Sequence, residues 1–105
     1  MYPHCAFNAK DVLEMGAMLE YSLIWNALYY PAGCVPVTTV EKDEEQFSDK
    51  HNDRWTKFID RTAKGSAGMP ISVQVIAHNY EDEKVLAVMK AIEKGVKYDM
   101  KVPNV

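Results

Sequence analysis

Gly65-Ser66-Ala67-Gly68 sets a hydroxyl between two glycines, and a strained turn of this kind can expose a serine as a nucleophile. That geometry requires a strand before the turn and a helix after it. Here the flanking residues predict a helix before and a strand after, so Ser66 reads as part of a structural loop. His4, His51 and His78 carry the side chain that titrates near neutrality and suits general-base work. None stands beside a serine or cysteine in a relay. His51 reads as solvated in a polar connection, and His78, at a strand end, reads as a packing or hydrogen-bonding residue. Cys5 and Cys34 are far apart, with no second ligand pair at zinc spacing, and read as reduced structural thiols. No Gly-rich phosphate loop and no His-Glu-x-x-His element is present. The pattern therefore predicts no metal site and no cofactor.

The elements that would position these residues follow from periodicity and punctuation. Asp11-Val12-Leu13-Glu14 has capping-box spacing, which predicts a helix from there to about Tyr30. Its apolar residues fall on every side of the wheel, so burial on most faces is expected, more than a chain this short supplies. The run is shorter than the roughly 20 apolar residues of a membrane span and contains Glu20. Pro31-Ala32-Gly33 ends the helix, and Cys34 to Val40 predicts a strand in which Pro36 marks an edge, a bulge or a strand end. Glu41 to Asp53 is a charged, solvated connection. Asp53 then caps a short helix whose apolar face is Trp55, Phe58, Ile59 and Thr62. After the glycine turn, Ile71 to Ala77 alternates as a strand. Asn79 is the candidate cap of a last helix, with Glu81-Asp82-Glu83 at its positive end and Val85, Val88, Met89, Ile92 and Val96 inward, ending near Gly95. The tail from Lys97 is expected to be poorly ordered or packed on a missing partner. Two strands do not make a stable sheet, so the remaining strands must come from elsewhere.

Composition agrees with a folded segment and narrows the partners. The chain has 105 residues, 48% hydrophobic and 26% charged, in the range of one ordinary domain with no boundary inside it. A formal charge of −3 offers no basic surface for phosphates, so nucleic acid is not expected as a partner. Met1-Tyr2-Pro3-His4-Cys5 has neither the basic start nor the apolar run of a signal peptide and reads like the interior of a longer chain.

Two stretches carry a family resemblance. Trp25-Asn26-Ala27-Leu28, followed by the run from Tyr30-Pro31-Ala32-Gly33 to Pro36-Val37-Thr38-Thr39-Val40, resembles a stretch of the fatty-acid amide hydrolases in the amidase-signature family. Gly68-Met69-Pro70 with Val73-Gln74 resembles a second stretch of the same enzymes, in the same order, and Tyr2 to Phe7 resembles a segment upstream. The long insert from Glu41 to Gly65, containing Trp55, is similar to the fatty-acid amide group rather than to the amidotransferase type. Tyr29-Tyr30 departs from the Asp-Phe or Asn-Phe pair usual before the proline.

The resemblance implies an α/β fold: the C-terminal part of the amidase-signature architecture, a mixed β-sheet covered by helices and incomplete as a stand-alone sheet. It also implies a serine amidase that hydrolyses fatty-acid amides to acid and amine. The family's two serines and lysine lie in a Gly/Ser-rich region that nothing here matches, so no catalytic residue carries over. Positions matching Leu19, Leu23 and Trp55 border the acyl channel in the family, where each buried methylene gains about 0.8 kcal/mol. Membership of the ordinary core is the competing reading of all three. The implied partners are the fatty-acid amide and the remainder of the amidase chain, and a homo-oligomer is compatible with both. The sequence does not fix the compartment; an intracellular setting is expected, with membrane association of the complete enzyme allowed. The competing functional class is a truncated, non-catalytic protein acting as an interaction module.

Overall fold

Residues 9–99 are described by the computed structural model, and the expectations for His4, Cys5 and the tail beyond residue 99 lie outside them. A 3-10 helix, Ala9–Leu19, runs into helix α1, Glu20–Ala27. Strand β1, Ala32–Thr39, helix α2, Arg54–Ala63, strand β2, Pro70–Ile76, and helix α3, Asp82–Val96, follow in that order.

The strands pair antiparallel, from Ala32 opposite Ile76 to Thr39 opposite Pro70. Pro36 faces Ser72 while Thr38 faces Ile71, so Val37 is an extra residue and the strand bulges directly after its proline. Pairing continues past both ends, where Ala77 donates to the Pro31 carbonyl at 3.2 Å and Val40 to the Met69 carbonyl at 3.0 Å. The result is an α/β fold with a two-stranded sheet open on both edges and flanked by helices, an incomplete sheet.

Helix α3 lies on the face that carries Gly33, and a Cβ added at Gly33 would collide with the Met89 thioether. Gly33 thus serves close approach of helix to strand, since its φ is not positive. Gly33→Ala is expected to destabilise the chain by about 1–3 kcal/mol through overpacking. In a Met89→Ala background most of that loss should vanish, a coupling that a double-mutant cycle in urea measures.

The expected long helix is two elements instead of one. Val12 and Leu13 are exposed and gain no burial from helical order, and the segment takes the tighter 3-10 form. Its would-be capping residues are engaged elsewhere: Glu14 accepts from Arg61 of α2 at 2.9 Å and Asp11 lies 3.8 Å from the same guanidinium. α1 buries none of its residues, and Tyr21, Leu23, Ile24 and Leu28 stand exposed. The expected burial on most faces is therefore not achieved among the described residues.

α1 ends in a Schellman closure. Tyr30 N–H donates to the Trp25 carbonyl at 3.0 Å and Tyr29 N–H to the Asn26 carbonyl at 3.1 Å, while the Trp25 and Tyr30 rings stack with centroids 6.1 Å apart. Tyr29 holds the left-handed position, φ 56°, that usually goes to glycine, and it is 84% exposed. Tyr29→Gly is therefore expected to stabilise the chain by about 0.5–1 kcal/mol, the relieved strain less the extra unfolded-state entropy. A rise in urea midpoint at constant slope would confirm it.

α2 starts as expected, with the Asp53 carboxylate accepting from Thr56 N–H at 2.8 Å. Phe58, Ile59, Thr62 and Ala63 are buried, and Thr62 returns its hydroxyl to the Phe58 and Ile59 carbonyls at 3.1 and 3.0 Å. Trp55, at the start of that apolar face, is 48% exposed. The glycine turn follows, with Gly65 and Gly68 at φ 80° and 82°. The solvated connection between β1 and α2 is anchored at one point, where Glu45, half-buried, accepts from Ala67 N–H at 2.7 Å.

α3 begins at Asp82 with Glu81, not Asn79, in the cap position. Tyr80 takes φ 67°, which breaks any helical path from Asn79. At the other end Lys97, φ 52°, takes the left-handed cap and donates to the Glu93 carbonyl at 3.0 Å, so Gly95 remains inside the helix. Of the expected inner face, Val85 is buried, Met89 and Ile92 are half-buried, and Val88 and Val96 are exposed.

Among the described residues the buried apolar side chains are Val35, Val40, Phe58, Ile59, Ala63 and Val85, against fourteen large apolar residues left exposed. A self-sufficient domain of this size would bury more of them. No helix among the described residues is long and apolar enough to cross a membrane.

Candidate functional site

The residue types that could do chemistry are placed apart. Ser66 is fully buried, and its hydroxyl donates to the Ala63 carbonyl at 2.5 Å while its carbonyl accepts from Met69 N–H at 2.9 Å. The hydroxyl is committed to closing the loop. His51 and His78 are exposed, and Cys34 is an exposed free thiol rather than a buried structural one. Among the described residues no group of three or more His, Cys, Asp or Glu is placed to hold a metal ion.

Trp55 borders a cavity of about 480 Å³ lined by Glu14, Arg54, Trp55, Lys57, Phe58 and Arg61. Asp53 sets the start of α2 and so the direction of Trp55; its bond from Thr56 N–H holds the carboxyl below its ordinary range. Arg61 closes the far side, 4.9 Å over the Phe58 ring and paired to Glu14. Leu23 lies on α1, 58% exposed, and is not part of this lining. Leu19 ends the 3-10 helix, and its side chain lies outside the described residues. The cavity that Trp55 borders among the described residues therefore does not include Leu23.

A second hollow, about 390 Å³, is the more apolar of the two and includes Trp25, Tyr30, Ile76, His78, Val85 and Val88. The His78 ring meets Tyr30 edge-on at 5.4 Å, the packing role expected of it. At the rim Lys84 Nζ sits 3.0 Å from both Glu81 oxygens and holds that carboxyl low. Sequence reasoning missed this hollow because Trp25 and Tyr30 come together through the Schellman closure. The legible signal was the Trp25 to Tyr30 spacing ahead of Pro31, which puts the helix end between two aromatics.

Comparison with known proteins places the chain. Fatty acid amide hydrolase 1 of Caenorhabditis elegans is 41% identical over 81 residues, which cover 74% of this chain. Fatty-acid amide hydrolase 1 of Sus scrofa is 35% identical over 80 residues, 72% of this chain. No family model matches the chain. The matched region is 14% of each relative's length, so the chain spans a small part of the proteins it is similar to. Identity at this level over most of the chain, together with the open α/β sheet, makes it a segment of the amidase-signature family, of the fatty-acid amide hydrolase kind.

Proposed function

We propose that this chain is the C-terminal part of a serine amidase that hydrolyses fatty-acid amides to fatty acid and amine. It contributes β1 and β2 to a larger sheet and part of the acyl pocket, and it supplies no catalytic residue. The 41% identity to a fatty acid amide hydrolase over 81 residues carries this reading. Two open sheet edges and the exposed apolar residues of α1 support it, since the rest of an amidase chain would cover both. Leu19, Leu23 and Trp55 border the acyl chain in the complete enzyme; Leu23 and Trp55 are apolar and largely unburied here, as a cavity wall would be.

A chimera tests the proposal. Replacing the matched segment of the nematode relative with the matching stretch of this chain should retain hydrolysis of a long-chain amide. A folded chimera without activity would overturn the assignment. The 105-residue chain alone should give no turnover. Turnover by pure chain that is lost in Ser66→Ala would show instead that the glycine turn carries a nucleophile.

A further inference from the structure

One end of the strand pair holds two turns side by side. Ala32 faces Ile76 and Ala77 N–H donates to the Pro31 carbonyl at 3.2 Å, so the turn that leaves α1 lies beside the turn that enters α3. The second turn is closed by Glu81 N–H on the His78 carbonyl at 3.1 Å. Each turn puts a tyrosine in the left-handed region, Tyr29 at φ 56° and Tyr80 at φ 67°, where glycine or asparagine is the usual occupant. Tyr29 is 84% exposed and Tyr80 94%, so burial of the rings does not offset the backbone strain. Both line one hollow of about 670 Å³, together with Tyr30, Asn26, Asn79 and Asp82. Tyr30 is held in place, stacked on Trp25 and met edge-on by His78.

Charge decides what this hollow suits. Asp82 is the one charged residue in its described lining, which contains no lysine or arginine. Lys84, the nearest cation on α3, is paired with Glu81 at 3.0 Å. Asp82 also complements the positive end of α3, which accounts for the acid but not for the rings gathered beside it. The hollow lies past the end of the two strands rather than along an open edge, so completion of the sheet does not explain it either. Electron-rich rings next to a carboxylate attract an organic cation, above all a quaternary ammonium, which needs no hydrogen-bond acceptor.

We propose that this hollow binds a trimethylammonium group, with Tyr29, Tyr30 and Tyr80 as the aromatic walls and Asp82 as the countercharge. Free choline and the headgroup of phosphatidylcholine share this chemistry. The site is separate from the acyl contacts assigned to Leu19, Leu23 and Trp55.

The test titrates the 105-residue chain by NMR with choline, with its neutral analogue in which carbon replaces the nitrogen, and with choline in the presence of phosphatidylcholine vesicles. Choline should shift the Tyr29 and Tyr80 ring signals and bind about tenfold more tightly than the neutral analogue at low salt, a preference that shrinks at high salt. Asp82→Asn should remove most of that preference. Tyr29→Gly and Tyr80→Gly relieve the backbone strain and keep the fold, as circular dichroism checks, yet each should weaken choline binding by about fivefold. Tyr29→Phe keeps a ring there and should retain binding. Vesicles that compete with choline would identify the lipid headgroup as a source of the cation, and vesicles without effect would restrict the site to the free cation. Absence of choline-induced shifts, equal affinity for choline and its neutral analogue, or full binding in both glycine variants would overturn the site. Vesicle binding without choline binding would overturn it in favour of an apolar membrane contact.

Discussion

Replacing Phe58 with alanine is expected to destabilise the chain by about 3–5 kcal/mol, the usual cost of emptying an aromatic site in a core. Phe58 is 8% exposed and belongs to the small set of buried apolar residues, so few neighbours can collapse into the space it leaves. Small domains have only about 5–15 kcal/mol in total, and this chain leaves much of its apolar surface in water. The loss is therefore expected to appear as disappearance of the cooperative urea transition or as a large fall in its midpoint. Trp55→Ala, three residues earlier on the same helix, should lower the midpoint far less, because about half of the indole already faces solvent. A Phe58→Ala chain that melts like the unsubstituted one would place the core elsewhere.

In the complete enzyme Trp55→Ala is expected to act on substrates rather than on folding. If Trp55 borders the acyl pocket, a long-chain amide loses the transition-state binding of the methylenes it touches, about 1–3 kcal/mol or roughly 10- to 200-fold in kcat/KM. A short amide that never reaches the indole should be hydrolysed at nearly the original rate. Each rate is corrected for the folded fraction, which removes any stability effect. Equal proportional losses for short and long amides would take Trp55 out of the substrate site and return it to a structural role.

These two aromatics show where sequence reasoning succeeded and where it stopped. The i, i+3, i+4, i+7 pattern of Trp55, Phe58, Ile59 and Thr62 located α2, and Asp53 located its first residue. The same pattern put Trp55 on the apolar face, yet 48% of it is exposed. Periodicity assigns a residue to a side of the wheel, but exposure depends on whether another element arrives to cover that side. The 3-10 helix meets α2 through Arg61, Glu14 and Asp11 and leaves the indole partly bare. The reading of the first helix failed for a related reason. Its apolar content implied burial on most faces, whereas among the described residues Trp25 stacks on Tyr30 and no residue of the α-helical part is buried.

Local chemistry alone determined the order of helices and strands, an irregularity or strand boundary at Pro36, the cap at Asp53 and the glycine turn around Ser66. Each depends on a few adjacent residues whose backbone preferences act over one turn or one strand pair. The family relation was legible on the same terms, as two short motifs in order. Only the tertiary structure decided that Gly33 admits Met89, that Tyr29 takes a left-handed cap, that Ser66 is buried with its hydroxyl committed, and that Glu14 joins Trp55 and Arg61 around one cavity. Those outcomes depend on which distant segments meet, and contacts between remote residues leave no period or spacing in a single sequence.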